Sequence, residues 1–188
     1  MKTSLVAISL PALKRALVCA AILAGLTLVS ESAPAETKVK AGDPAPQVEG
    51  VDSEGKAWKL ADLIGKKAVV LYFYPKDDTP GCTKQACGWR DRLENLKKDG
   101  VEIVGVSFDS PESHQKFVAK HHLNFTLVAD TEGKIADAYG VRVAPGRNMA
   151  RRVSFVIGLD GKVAHVTDTP SADTHLAECK ESLGTLKK

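Results

Sequence analysis

The sequence predicts an α/β domain in which helices flank a mixed central β-sheet. Two near-continuous apolar runs, at residues 68–74 and 101–108, have the length and β-branched content of strands buried on both faces of a parallel sheet. A segment with helical start and stop signals separates them. Further along, Asp160-Gly161 lies between two strand-like segments and is typical of an antiparallel hairpin.

The helix between the two apolar runs begins at Thr79-Pro80, because threonine is a good N-cap and proline suits the first helical position. Gly100, which follows two lysines, marks its end. We therefore expect one helix over residues 80–98, with apolar side chains at helical spacing: Ala86, Trp89, Leu93 and Leu96.

Ser110-Pro111 marks the start of a second helix, again with an N-cap residue followed by proline at the first helical position. This helix runs to about His121. The remaining predicted elements are a strand at 125–128, a short helix at 135–139, hairpin strands at 152–157 and 162–166, and a helix from about Ser171. Parallel strands first and a hairpin second, with helices between, is the order of a thioredoxin-like sheet.

The first 35 residues have the pattern of a secretory signal peptide. A basic start precedes an uncharged apolar stretch, and Ala33-Pro34-Ala35 offers the small residues that a signal peptidase reads. The apolar stretch has about 15 residues, fewer than the roughly 20 of a membrane-spanning helix. We expect cleavage after Ala35, export to the bacterial periplasm, and one domain at residues 36–188; a retained membrane anchor is the alternative.

The charge balance argues against some partners. The chain carries 26 Lys and Arg against 23 Asp and Glu, whereas nucleic-acid binding calls for a clustered basic surface. Nothing in the charge indicates a membrane-surface protein. No motif for a metal, haem, flavin or nucleotide is present, so no cofactor is expected.

Three cysteines follow the predicted leader: Cys82, Cys87 and Cys179. An exported protein meets an oxidising compartment, where an odd number of cysteines leaves one thiol unpaired or paired with another molecule. Three cysteines are too few for a disulfide scaffold. We therefore expect them to serve chemistry rather than structure.

Cys82 falls in the first turn of the predicted helix, at the carboxyl end of a buried strand, where open α/β sheets tend to place ligand sites. Free backbone N–H groups and the helix dipole favour a thiolate there, which is the attacking form of a thiol. Gly81 leaves room for a small substrate, and Thr79 can offer a hydroxyl to the thiolate or the substrate. The alternative is that Cys82 is a small buried hydrophobe.

Cys87 follows five positions later. In an intact helix the two Cα atoms would lie roughly 8.6 Å apart. A disulfide needs about 7 Å or less, so the first turns must unwind if these two cysteines pair. A transient disulfide formed during turnover fits such a position better than a structural one. One reaction that uses two thiols in this way is the reduction of a peroxide. The attacking thiolate becomes a sulfenic acid, which then forms a disulfide with the second thiol.

The segment Pro75-x-x-x-Thr79-x-x-Cys82 resembles the peroxiredoxin active-site pattern, and the spacing to Cys87 resembles the bacterioferritin-comigratory (PrxQ) class. This resemblance covers most of residues 36–188. It implies a thiol-dependent peroxidase that reduces hydrogen peroxide and organic hydroperoxides. It further implies electrons from a thioredoxin-like dithiol protein, and a monomer or weak homodimer.

The resemblance also implies a role for each matching residue. Cys82 would be the peroxidatic cysteine and Cys87 the resolving one. Thr79 would hydrogen-bond the thiolate and the peroxide, and Pro75 would shield the pocket from water. Arg152 would hold the thiolate and the developing oxyanion, which suits a side chain that is always charged.

Three further positions bear on these predicted roles. Strand alternation puts only one of Arg151 and Arg152 on the active-site face, and we favour Arg152. Gln85 stands where the class often has glutamate, a departure that we expect not to touch the chemistry. Cys179 is expected to be half-exposed near a helix end and uninvolved, with a rival resolving role or an intermolecular disulfide as the alternative.

Two other functions fit a reactive thiol on this fold. A thiol–disulfide oxidoreductase would normally use Cys-x-x-Cys, and the wider gap here argues against it. A copper chaperone would need a histidine beside the two cysteines, and Arg152 would repel the cation. His121 and His122 are expected to be solvated rather than metal ligands.

Overall fold

The computed structural model describes residues 37–186, so the predicted signal segment at 1–35 lies outside the described residues. The described strands are β1 (Glu49–Asp52), β2 (Ala57–Lys59), β3 (Ala68–Phe73), β4 (Val101–Ser107), β5 (Thr126–Ala129), β6 (Val153–Ile157) and β7 (Val163–Asp168). The helices are α1 (Pro80–Arg90), α2 (Leu93–Lys98), α3 (Pro111–His121), α4 (Lys134–Tyr139) and α5 (Ala172–Leu186). None of these helices is long and apolar enough to cross a bilayer.

The described strands form one sheet in the order β2-β1-β5-β4-β3-β6-β7. The three central strands β5, β4 and β3 run parallel, while β6 and β7 add an antiparallel hairpin next to β3. This arrangement confirms the predicted mixed sheet flanked by helices. The hairpin of β1 and β2 was not predicted, because its strands are short and half-exposed and carry no long apolar run.

The central strands are buried on both faces, as their apolar runs predicted. In β3, Val69, Leu71 and Phe73 pack into one hydrophobic cluster. The alternate residues Val70 and Tyr72 pack into a second cluster on the other face, together with side chains of α1 and α5. This second cluster contains Cys82, so the N-terminal end of α1 is part of a packed core.

The prediction of a single helix over 80–98 is wrong, since α1 ends at Arg90 and α2 begins at Leu93. The reason lies in the side chain of Arg92, whose Nη1 donates to the carbonyl oxygen of Gly88 at 2.7 Å. The backbone N–H of Arg92 bonds instead to the Trp89 carbonyl, one residue closer than in an α-helix. The apolar spacing continues through this break, which is why the pattern did not reveal it.

Candidate active site

Cys82 lies in the first turn of α1 and is 2% exposed. The loop before it leaves the carboxyl end of β3, as predicted, and the N–H of Thr83 closes the first turn on the carbonyl of Thr79 at 2.8 Å. The helix that follows is continuous through Cys87, and both cysteines are free thiols. The structure therefore presents the two sulfurs in the reduced, helical arrangement.

Arg152 is brought to this helix by the sheet. Strand β6 pairs antiparallel with β3, and the pairing of Val153 with Phe73 puts the start of β6 beside the end of β3. The Nη2 of Arg152 donates to Cys82 Sγ at 3.3 Å. The other donors fix the guanidinium, because Nε bonds the carbonyl of Pro170 at 3.1 Å.

Strand alternation explains why Arg152 contacts the sulfur and Arg151 does not. Val156 packs in the same cluster as Cys82, and residues an even number of positions away share its face of the sheet. Arg151 points to the other side, where it contacts Asp168 and the carbonyl of Gly140. The choice between the two arginines made from the sequence agrees with this geometry.

Gln85, which we expect not to touch the chemistry, contacts the arginine that bonds Cys82, so its effect on the reaction stays a prediction. Its Oε1 accepts a hydrogen bond from Nη1 of Arg152 at 2.5 Å, and the side chain is fully buried. Gln85 lies one helical turn after Cys82, where side chains share a helix face. That spacing was the signal that could have identified it. A neutral amide here orients Arg152 without adding a negative charge beside the sulfur.

The space beside Gly81 is occupied by the guanidinium of Arg152. A Cβ at this position would lie 3.2 Å from Nη2 of Arg152. The room that the sequence suggested for a substrate therefore also admits the guanidinium to the sulfur.

Thr79 and Pro75 are half-buried in the loop that leads to Cys82. Thr79 is the N-cap residue, but its hydroxyl does not cap the helix and instead donates to the carbonyl of Lys76 at 3.1 Å. A bond from this hydroxyl to the thiolate or to a peroxide would require its proton to turn away from Lys76. The roles predicted for both residues remain predictions.

The loop before Cys82 is anchored by a residue that sequence analysis did not single out. The buried carboxylate of Asp77 accepts from Tyr74 Oη at 2.7 Å and from Ser113 Oγ at 2.8 Å. It also contacts His114 Nδ1 at 2.9 Å, and its own backbone N–H donates to Asp109 at 2.9 Å. These bonds tie the loop to the start of α3 and leave Cys82 on a fixed support.

The prediction that Cys179 is half-exposed is wrong. Cys179 lies within α5, on the face that packs against the sheet, and it is fully buried. Burial raises the pKa of its thiol to about 12, although hydrogen bonds with Thr167 and Ser154 act in the opposite direction. The charged neighbours in the sequence suggested exposure, but they point along other faces of the helix.

The two histidines at the end of α3 differ in their surroundings. His122 is exposed and ends the helix with a left-handed conformation, whereas His121 contacts Asp78 at 2.9 Å and is only partly exposed. Among residues 37–186, no group of three or more His, Cys, Asp or Glu side chains is placed to hold a metal ion.

A thioredoxin-like sheet that presents a buried thiol to an arginine at a helix start, with a second thiol on the same helix, defines a thiol-dependent peroxidase. Residues 41–166 match the AhpC/TSA family, and the chain belongs to this family. Peroxiredoxin Bcp of Escherichia coli K12 is 42% identical over 142 residues, which cover 73% of this chain and 90% of that protein. The predicted resemblance to this class of peroxiredoxins is thereby confirmed.

Two solved structures support the same class of protein. Peroxidoxin BcpB from Mycobacterium tuberculosis superposes with a TM-score of 0.75 at 33% identity, over 80% of this chain and 99% of that one. The bacterioferritin comigratory protein of Xanthomonas campestris, studied for alkyl peroxide reduction, gives a TM-score of 0.66 at 30% identity over 79% and 99%. These likenesses support a peroxidase and do not favour the oxidoreductase or the copper chaperone.

Proposed function

We propose that the protein reduces hydrogen peroxide and organic hydroperoxides with Cys82 as the attacking sulfur and Cys87 as the resolving one. The hydrogen bond from Arg152 to Cys82 Sγ is the observation that carries this proposal. A guanidinium held in this way stabilises a thiolate before the reaction and negative charge on the leaving oxygen during it. The alkyl peroxide activity studied in the Xanthomonas relative supports the substrate class.

In the first step the Cys82 thiolate attacks one peroxide oxygen and the O–O bond breaks. The leaving oxygen departs as hydroxide or alkoxide, takes a proton from solvent and becomes water or an alcohol, while the sulfur becomes a sulfenic acid. In the second step the Cys87 thiol condenses with the sulfenic acid, which forms the disulfide and releases a second water. A thioredoxin-like dithiol then returns both thiols to the reduced state.

The helix must open between the two steps. The two cysteines are five residues apart on the continuous helix α1, which places their Cα atoms roughly 8.6 Å apart, beyond the reach of a disulfide. The first turns of α1 are therefore ordered in the reduced protein and unwound in the disulfide form. The anchored Asp77 loop gives this movement a fixed support before the helix.

The experiment that tests the proposal mixes reduced protein with hydrogen peroxide and maps the products by mass spectrometry. Wild type should consume peroxide and form the Cys82–Cys87 disulfide. C87S should stop at the Cys82 sulfenic acid, which a dimedone probe captures. C179S is the matched control and should behave as wild type. Full peroxide consumption by C82S would overturn the proposal.

The cellular setting also belongs to the proposal and rests on the sequence of residues 1–35. We propose that this segment directs export to the periplasm, that it is removed after Ala35, and that the remaining domain acts there as a monomer or weak dimer. Mass spectrometry of exported protein should then find an N-terminus at Glu36. An intact Met1 on membrane-bound protein would contradict it.

A further inference from the structure

A chain of hydrogen bonds continues behind Arg152, away from the sulfur. The Nε of Arg152 donates to the carbonyl of Pro170 at 3.1 Å, in the loop between β7 and α5. The preceding carbonyl, that of Thr169, lies 2.9 Å from Nε2 of His175. Two consecutive carbonyls of one loop are therefore bonded, the first to the imidazole and the second to the guanidinium.

The bonding partners define the state of His175. A carbonyl oxygen can only accept a hydrogen bond, so Nε2 carries the proton that goes to Thr169. Burial lowers the pKa of His175 and so favours the neutral imidazole, in which Nδ1 accepts the hydroxyl proton of Ser154 at 2.7 Å. His175 and Ser154 are both fully buried. The imidazole is thus a neutral, Nε2-protonated bridge from strand β6 to the loop.

The strand places this bridge beside the active site. Ser154 lies two residues after Arg152, and residues two apart on a strand share a face. The imidazole therefore stands on the same side of the sheet as the guanidinium. The carbonyls of Thr169 and Pro170 link the two side chains, because the first bonds the imidazole and the second bonds the guanidinium.

We propose that His175 is a positioning residue for peroxide reduction: its neutral imidazole holds the Thr169–Pro170 backbone where the Pro170 carbonyl fixes Arg152 against Cys82. This inference rests on the proposed function, in which Arg152 stabilises the thiolate and the leaving oxygen. His175 itself touches neither the sulfur nor the peroxide site.

The charges around His175 support this neutral state. Burial lowers the pKa of His175, and the positive charge of Arg152 at the start of β6 adds to this effect. Asp168 on β7 and Glu178 on α5 act in the opposite direction, as does the bond to Thr169. The thiol of Cys179, which bonds Ser154, is itself kept neutral by burial. Protonation of Nδ1 would remove the acceptor for Ser154 and put a second cation near Arg152.

The test is a double-mutant cycle on the first chemical step. Reduced protein is mixed with hydrogen peroxide, quenched with an alkylating reagent, and the second-order rate constant for Cys82 oxidation is read by mass spectrometry. H175L removes both hydrogen bonds, and a loss of about threefold to tenfold is expected for bonds of this kind. H175Q keeps an N–H for the Thr169 carbonyl and should stay within about twofold of wild type.

The cycle separates positioning from general loss of structure. In an R152A background, H175L should cause no further loss, because its effect passes through the guanidinium. An equal loss with and without Arg152 would overturn the inference. H165L is the matched control, since His165 is a partly exposed histidine bonded to Thr167 and Glu178, and it should react as wild type.

The pH profile supplies a second readout that holds even if H175L fails to fold. Glutamine does not titrate, and the pKa of His175 is lowered from 6.5, so the ratio of the wild-type rate constant to that of H175Q should stay constant from neutral pH down to 6.5 and fall only at lower pH. A ratio that already falls above pH 6.5 would show that the imidazole is not held neutral and would overturn the inference.

The failure of the inference and that of the proposed function are distinguishable. A loss of rate in R152A with none in H175L overturns the role of His175 and leaves the proposed function standing. No loss of rate in R152A overturns the role of Arg152, and the inference with it.

Discussion

Gly81 and Arg152 fit directly against each other: a Cβ on Gly81 would lie 3.2 Å from Nη2 of Arg152, the nitrogen that donates to Cys82 Sγ. That contact is tighter than ordinary packing, and the atom that must yield is the end of a flexible side chain. A methyl group at position 81 would therefore leave the fold intact and displace the guanidinium from the sulfur.

The first prediction separates stability from activity at this position. Gly81 has an ordinary helical backbone, because it is not among the glycines with positive φ. G81A should therefore keep or raise the free energy of unfolding, by up to about 1 kcal/mol from helix propensity. Its rate constant with hydrogen peroxide should nevertheless fall several-fold. Urea unfolding and stopped-flow kinetics measure the two quantities.

The control for this prediction is G184A. Gly184 also lies in a helix, and a Cβ there would meet nothing within 4 Å. It should show a similar propensity gain with no change in rate. Equal rates for G81A and G184A would show that the contact with Arg152 does not matter for the reaction.

The second prediction compares two neighbouring aspartates of the loop before Cys82. D77N removes the charge of a buried carboxylate that accepts from Tyr74 and Ser113 and contacts His114. It should lower the free energy of unfolding by about 3 kcal/mol, as expected when buried polar groups lose a charged partner. D78N is the control. Asp78 is about half-exposed and pairs with Lys120 and His121 at the surface, where ion pairs contribute little, and asparagine tolerates its positive φ of 58°.

Chemical denaturation of both variants measures the difference, and D78N should unfold close to wild type. Equal destabilisation by the two substitutions would show that the Asp77 network does not anchor the loop. The peroxide rate of D77N should fall as well, because the support of the Cys82 turn is loosened.

The third prediction concerns the reactivity of the three thiols. With a pKa of about 12 and no exposed surface, Cys179 is protonated and inaccessible at neutral pH. Iodoacetamide at pH 8 should therefore modify the half-exposed Cys87 in the folded, reduced protein, and Cys179 only after denaturation. Peptide mass spectrometry reads the labelling. Modification of Cys179 at the rate of Cys87 would contradict its burial.

The fourth prediction is a pH dependence of stability. Because the pKa of His175 is lowered in the folded protein, the unfolded chain binds more protons below pH 6.5. The contribution of His175 to stability is therefore complete above pH 6.5 and is lost as the pH falls toward and through the lowered value. Urea unfolding of wild type should show this loss, and H175Q should show a flatter profile over the same range.

H165Q is the matched control for replacing a histidine, because His165 is partly exposed. Its free energy of unfolding at pH 7 should lie close to that of wild type. A wild-type curve that already coincides with that of H175Q would mean that the buried imidazole is not destabilised by protonation.

Much of the fold could be predicted because two of its central strands carry near-continuous apolar runs. A strand buried on both faces needs such a run, and the segments that became β3 and β4 carry one. The β1–β2 hairpin escaped prediction because one half-exposed face and three or four residues leave little periodicity to detect. The break between α1 and α2 escaped for another reason: a side chain of Arg92 takes a backbone carbonyl, and no local propensity encodes that choice.

The candidate site likewise contains residues that local sequence could predict and residues that it could not. Cys82, Gly81 and Thr79 are close in sequence, so their common turn could be predicted from capping and spacing alone. The contact of Gln85 with Arg152 could not be predicted, because its partner lies 67 residues away in the sequence. Cys179 was placed at the surface because its charged neighbours were read without the sheet that covers its own face.

The sequence by itself determined that a thiol lies at the start of a helix, since that depends on the local order of strand, turn and helix. It also determined that Cys87 cannot reach Cys82 while the helix is intact, because helical rise follows from residue spacing. Only the tertiary structure decided what faces the sulfur. The antiparallel pairing of β6 with β3 delivers Arg152 there, and the packing of α5 supplies the His175 and Pro170 contacts behind it. These partners come from distant segments, and their meeting is set by strand register and helix packing.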